Sequence, residues 1–244
     1  MRRLGLLYLV AGPLHSCAAT PEPAGVPPGF VLHYRQDFER KTDRNDFVFS
    51  DDAPWVWNRE GTLDLVGPSR YAPPHRSPLS IALLRHLRFD DFVLEADVMQ
   101  TGREYGHRDL CLFFGFVDGA NYYYAHLATA PDRNAHNVFL VNEADRRPLT
   151  PAPARGVDWG EAEWHHVRLE RWQGRIRVFL DDLTTPVLEA YDLTHGLGAV
   201  GFGSFDDVGR IDNVRIWAAT STASSSDPFR TVPESKTPGA AEGT

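Results

Sequence analysis

The alternation of side chains between residues 92 and 142 limits this chain more than any other feature. It reads Phe92-Val-Leu-Glu95-Ala-Asp97-Val-Met-Gln100, then Tyr105-Gly-His107-Arg108-Asp109-Leu-Cys111-Leu-Phe-Phe-Gly-Phe116. It continues as Asn121-Tyr-Tyr-Tyr124-Ala-His126-Leu127 and Ala135-His136-Asn137-Val-Phe-Leu-Val-Asn142. Each apolar run is too short to cross a bilayer as a helix. A strand sends successive side chains to opposite faces. The spacing therefore predicts adjoining half-buried strands, greasy on one face and titratable on the other. Over 122–127, Tyr122, Tyr124 and His126 share one face, and Tyr123, Ala125 and Leu127 the other.

The rest of the chain repeats the pattern. Phe30–Glu39 reads as a first strand, Trp55–Val66 as two short strands around Gly61, and Pro78–Leu84 as a compact apolar strand. Glu163–Asp182 reads as a hairpin turning at Gln173-Gly174. Gly198–Ser204 and Ile211–Trp217 close the series. No amphipathic helix of ordinary length and no internal repeat interrupts it. Many short strands separated by Gly, Pro and Asp turns predict an all-β, two-sheet antiparallel β-sandwich of jelly-roll type over residues 31–218.

The ends read differently. Met1-Arg2-Arg3 followed by the apolar Leu4–Val10 describes a secretory signal over residues 1–17. Leu14-His15-Ser16-Cys17 resembles a lipobox, with His15 departing from its small or apolar residue, and leads us to expect lipid on Cys17. Export and a membrane-anchored lipoprotein, with plain secretion as the fallback, are the expectation, and that lipid is the only membrane contact expected. Residues 18–30 are a Pro-rich tether, and residues 219–244, rich in Ser, Thr, Pro and Gly, are expected to be disordered. Cys111 is the only other cysteine and reads as a buried, inert thiol, so neither a disulfide nor a cysteine-based metal site is expected. A net charge of −8 and a pI near 5.7 argue against nucleic acid, whose phosphates need a basic stripe.

Trp57…Gly61-Thr-Leu63, Phe92–Val98, Asn121–Tyr124, Trp164–Asp182 and Gly201–Ile216 come in an order that resembles the concanavalin A-like lectin/glucanase superfamily. Within it, the chain is most similar to laminin-G-like modules and to the 3-keto-disaccharide hydrolase domain family. The resemblance spans about residues 35–217. It implies a concave sheet face that meets an oligo- or polysaccharide. Glu95-Ala-Asp97-Val-Met-Gln100 also resembles the Glu-x-Asp-x-x-Glu strand of family-16 glycoside hydrolases. Gln100 stands where that family places its acid/base Glu, and an amide cannot exchange a proton at neutral pH.

Sugar sites combine aromatic faces with directional donors and acceptors. Asp97, His107, Asp109 and His126 are the catalytic candidates: Asp97 or Asp109 as base or orienting carboxylate, His126 or His107 as proton carrier. Glu95, Arg108, Tyr124, His136 and Asn137 are the substrate-binding candidates. Arg108 would neutralise a uronate carboxylate in a lyase-like reaction, and a non-catalytic glycan-binding module uses the same residue types. Each His can equally serve only to satisfy neighbouring backbone groups. No cofactor is required by this chemistry. Asp37, Glu39 and Asp212, with Asp206 and Asp207 nearby, resemble the oxygen ligands of a structural calcium; Asp is also simply common in turns.

Overall fold

A computed structural model describes residues 25–151 and 155–230. The expected signal, Cys17 and the first part of the tether lie outside the described residues. The first strands are β1 (Val31–Gln36), β2 (Phe47–Phe49), β3 (Trp55–Asn58), β4 (Thr62–Leu65), β5 (Ser80–Leu84) and β6 (Leu87–Arg88). The alternating stretch forms β7 (Phe92–Gln100), β8 (Asp109–Asp118), β9 (Asn121–Ala128) and β10 (Asn137–Asn142), followed by β11 (Arg147–Pro148). Then come β12 (Trp164–Trp172), β13 (Arg175–Leu180), β14 (Leu188–Tyr191), β15 (Ala199–Ser204), β16 (Gly209–Ala218) and β17 (Thr222–Ala223).

One sheet has eight strands in the order β14-β13-β12-β7-β16-β4-β3, with β1 also pairing β16. The other has seven, β11-β10-β9-β8-β15-β5-β2, and β6 with β17 makes a small ribbon. All their pairings are antiparallel. The expected hairpin turns at Gln173 and Gly174, whose φ values of 51° and 80° are what a two-residue turn of matching twist requires. A Cβ on Gly174 would also lie 2.5 Å from Leu193 Cδ2.

The core lies between the sheets. Leu94, Ala96 and Val98 of β7 and Val167 and Leu169 of β12 face Leu110, Leu112 and Phe114 of β8 and Tyr123, Ala125 and Leu127 of β9. Burying each large apolar side chain contributes roughly 1.5–3 kcal/mol, which is how the fold holds without a disulfide.

Two expectations change here. The seven-stranded sheet is apolar on its outer face as well: Phe113, Tyr122, Tyr124, Phe139 and Val141 form a second buried cluster. Tyr71, Phe205 and Phe229 cover it. A strand buried on both faces reads as a continuous apolar run, and β8 does so from Leu110 to Phe116. The expected disordered tail is also placed as far as Arg230. β17 pairs with β6, and the Phe229 ring meets Phe116 at 5.5 Å and Tyr71 at 5.7 Å. One aromatic anchor and a backbone ladder hold a segment whose Ser- and Pro-rich composition hides both. Residues 231–244 lie outside the described residues. At the other end, Val26 and Phe30 of the expected tether dock on Val93 and Trp217.

Candidate functional site

The sandwich separates the residues that the sequence reading grouped. Glu95 and Asp97 point outward from β7, on the outer face of the eight-stranded sheet, where β12 and β16 flank them. Asp109, Tyr124 and His126 point outward from β8 and β9, on the opposite side of the molecule. Asp97 therefore cannot act with His126. The alternation placed each side chain on a face correctly; it did not say which sheet each strand joins.

Arg108 is not a substrate ligand. Its buried guanidinium is consumed by Gln100 Oε1 (2.8 Å), Gln100 O (2.9 Å) and Gly160 O (2.8 Å). Gln100, the break in the hydrolase-like pattern, is thus an acceptor in a structural clamp. His107 stands exposed in the loop before β8, with Nε2 2.7 Å from Asp132 Oδ2. Asn137 accepts the N–H groups of Leu149 and Thr150 and holds the strand after it. His136 is buried, and burial lowers its pKa to about 4; its Nδ1 faces the Ala128 N–H. Asp37 lies 3.4 Å from Arg35 and Asp212 accepts from the Asn213 N–H. Burial, and then the like charges of Asp97, Asp37 and Glu39, raise the Asp212 pKa. Among the described residues, Asp37, Glu39 and Asp212 do not converge within reach of one ion; the groups that do are Asp109–Cys111–His126 and Asp109–Asp206–Asp207.

What converges is a polar nest in the aromatic outer face of the seven-stranded sheet. Asp109 and Cys111 alternate on β8, and Cys111 lies directly opposite His126 on β9. Asp109 Oδ1 accepts from Ser204 Oγ at 2.9 Å, and its Oδ2 accepts from Cys111 Sγ at 3.1 Å. The same Oδ2 lies 3.2 Å from His126 Nε2. Burial works to raise the Asp109 pKa, but the attraction of His126 and the bonds from Cys111 and Ser204 together hold it below the usual carboxylate range. Burial and the Asp109 charge push the Cys111 thiol up. Asp207 Oδ2 accepts the Asp109 N–H and the Tyr105 hydroxyl, and burial together with Asp109 raises its pKa to about 6. Arg146 roofs the nest, 4.8 Å from the Phe139 ring centre and 4.5 Å from that of Phe205, and donates to Tyr124 Oη at 3.0 Å.

Arg146 and Phe205 escaped the sequence reading because they arrive from loops, and Ser204 because it ends β15, a strand whose register against β8 the alternation does not give. The only trace was the Asp-x-Cys alternation at the start of β8.

The outer face of the eight-stranded sheet is charged; Val26 and Phe30 cover Val93 and Trp217, Glu95 and Arg168 are buried, and the β12–β14 edge is exposed. His166 Nδ1 is 2.8 Å from Asp97 Oδ1 and its Nε2 3.7 Å from Glu95 Oε2. Glu95 first, then Asp97, raises the His166 pKa against the opposing effect of burial. Arg177 pairs with Glu170, and Arg175 with Glu189 at 2.8 Å. At the edge, Trp172, Arg175 and Tyr191 lie opposite one another across β12, β13 and β14. The two aromatic residues are 50% and 66% exposed. A cavity of about 1170 Å³ opens beside this edge, lined in part by Arg175, Glu189 and Tyr191. None of the sequence-predicted site residues lines it.

No protein-family model and no curated protein matches the sequence. Solved structures do. The carbohydrate-binding module CBM66 from Bacillus subtilis is similar over 72% of this chain and 95% of its own, at 19% identity and a TM-score of 0.52. A protein of unknown function with a galectin-like fold, also from Bacillus subtilis, is similar over 76% and 94%, at 14% identity and a TM-score of 0.53. A GlcNAcα1-4Gal-releasing endo-β-galactosidase from Clostridium perfringens is similar over 83% of this chain and 66% of its own, at 12% identity and a TM-score of 0.51. At these identities the likeness is one of fold, and the chain is a two-sheet antiparallel β-sandwich of the concanavalin A-like kind.

Proposed function

We propose that this protein is a glycan-binding β-sandwich that holds an oligo- or polysaccharide along the exposed β12–β14 edge of its eight-stranded sheet. One observation carries the reading: Trp172 and Tyr191 stand on one rung of that edge, both at least half exposed, with Arg175 between them. Exposed aromatic side chains grouped on one surface mark a binding surface more often than chance packing. Their flat faces suit the C–H side of a sugar ring, and the neighbouring Arg and Glu groups suit its hydroxyls. A carbohydrate-binding module and a galactosidase on the same fold support the class of ligand. The signal-like composition of residues 1–17 supports export, with lipid on Cys17 as the anchor.

A second reading, a glycosidase or uronate lyase, rests on the opposite face. Arg146 over Tyr124 would hold a sugar carboxylate, and His126, whose Nδ1 is buried without a hydrogen-bond partner, would move the proton. A panel of polysaccharides tests both, scored for binding and for release of reducing ends or unsaturated uronates. Binding without product, lost in Trp172→Ala and Tyr191→Ala, is the expected result. Product that His126→Ala abolishes selects the second reading. Failure of the whole chain to bind any glycan overturns both.

A further inference from the structure

We propose that Asp109, Cys111 and His126 form a binding site for a thiophilic divalent ion, zinc above all. The proposal is independent of the glycan-binding face, which lies on the other sheet. The three side chains are 1%, 1% and 3% exposed, and one ligand atom from each lies within 4.8 Å of the others. A tetrahedral zinc with bonds of about 2.0–2.3 Å sets its ligand atoms roughly 3.3–3.5 Å apart. Asp109 Oδ2 lies 3.1 Å from Cys111 Sγ and 3.2 Å from His126 Nε2, so these two separations need to open by only tenths of an ångström.

The histidine supplies the independent sign. His126 Nε2 meets the Asp109 carboxylate at 3.2 Å without the alignment of a hydrogen bond, and its buried Nδ1 has no hydrogen-bond partner. A buried polar group without a partner costs about 1–3 kcal/mol, and a fold normally satisfies it. Close approach without alignment is what results when a nitrogen and an oxygen both address a third point. Around that point the outer shell of Asp109 is already built. Ser204 Oγ takes Asp109 Oδ1 and leaves Oδ2 toward Cys111 and His126. Asp207 in turn holds the Asp109 N–H and the Tyr105 hydroxyl. Such partners orient metal ligands and tune affinity. Charge also balances: two positive charges meet one carboxylate and one thiolate. A thiolate with an imidazole selects zinc over calcium or magnesium. The other convergent group shares Asp109, but its Asp207 is committed to Tyr105.

The full chain carrying Cys17→Ala, so that Cys111 is the sole thiol, is stripped with chelator and titrated with zinc alone and with cobalt alone. One zinc per chain and a thiolate-to-cobalt charge-transfer band are expected. Cys111→Ser abolishes the band and weakens zinc binding on the order of 100-fold or more; Asp109→Asn also weakens it, and exposed His107→Ala changes neither. The parent protein decides the matter even if a buried variant fails to fold. No stoichiometric zinc, or bound cobalt without the thiolate band, overturns the site. Zinc binding that Cys111→Ser leaves unchanged overturns it equally.

Discussion

The two outer faces of this sandwich obey opposite rules. On the seven-stranded sheet the aromatic face is closed. Phe113 stacks on Tyr124, Phe116 stacks on Tyr122, and loop residues cover the whole. On the eight-stranded sheet the outer face is a ladder of ion pairs ending in two exposed rings. The same alternation of side chains built both. Loops from elsewhere in the chain decided which became interior. A polar residue on the closed face carries a large penalty unless it is satisfied, so Asp109, Cys111 and His126 mean more than the same residues on the open face. An aromatic residue has the reverse value: on the closed face it is packing, on the open face it is a surface for a ligand.

The largest effect that separates the faces is core-like. Phe113 is fully buried among Tyr122, Tyr124 and Phe116. Phe113→Ala is expected to cost about 3–5 kcal/mol, lowering Tm by roughly 10 °C or more in a domain of this size. Thermal unfolding measures it. A loss below about 1 kcal/mol would mean that this face is not interior, and the comparison would collapse.

Next comes acid sensitivity, which belongs to the seven-stranded sheet at the start of β10. His136 sits neutral in the fold with its pKa lowered from 6.5 to about 4 by burial, with a smaller push from nearby His126. A base whose folded pKa is depressed contributes stability that is full above pH 6.5 and is lost as pH falls toward 4. The linkage amounts to roughly 3 kcal/mol. Its φ of 51° lies where Asn is tolerated, so His136→Asn should remove most of that slope without straining the turn. Denaturant midpoints at pH 7, 5.5 and 4.5 check it, and parallel curves for variant and parent would refute the assignment.

Much of this was legible in the residues. Alternation gave the faces of β9 correctly, and the Gln173-Gly174 turn was readable because few sequences tolerate positive φ at two successive positions. The adjacent His165 and His166 do face opposite ways: His165 meets Asp181 and Trp159 O, whereas His166 meets Asp97. The partnership of strands was not legible. Periodicity carries no information on whether β7 joins β8 or β12, and that single fact divided Asp97 from His126. Three-residue β2 and two-residue β6, β11 and β17 are too short to show a period, and they exist because a neighbour's ladder is waiting. Arg108 looked functional because a guanidinium there would neutralise a uronate carboxylate; its guanidinium clamps Gln100 and Gly160 instead.

On the open face, pH acts in the other direction and weakly. His166 lies between Glu95 and Asp97 with its pKa raised. A raised folded pKa gives stability that is full below pH 6.5 and is lost as pH climbs through the folded value. Because His166 is about a third exposed, solvent screening keeps the contribution below about 1 kcal/mol. His166→Gln should flatten the stability profile above pH 6.5 and, unlike His136→Asn, leave the acid limb unchanged.

The smallest effect on stability is the most informative for function. Trp172 and Tyr191 bury little and support nothing beneath them, so Trp172→Ala and Tyr191→Ala should each shift unfolding by no more than about 0.5 kcal/mol. If these rings form the sugar platform, glycan affinity falls by about tenfold or more for each, since a ring contact is worth on the order of 1.5 kcal/mol. Arg146→Ala, on the closed face, should leave that affinity untouched. Affinity electrophoresis and calorimetry on the same three variants compare the faces directly. A loss of binding confined to Arg146→Ala would move the ligand to the seven-stranded sheet and reverse the roles assigned to the two faces.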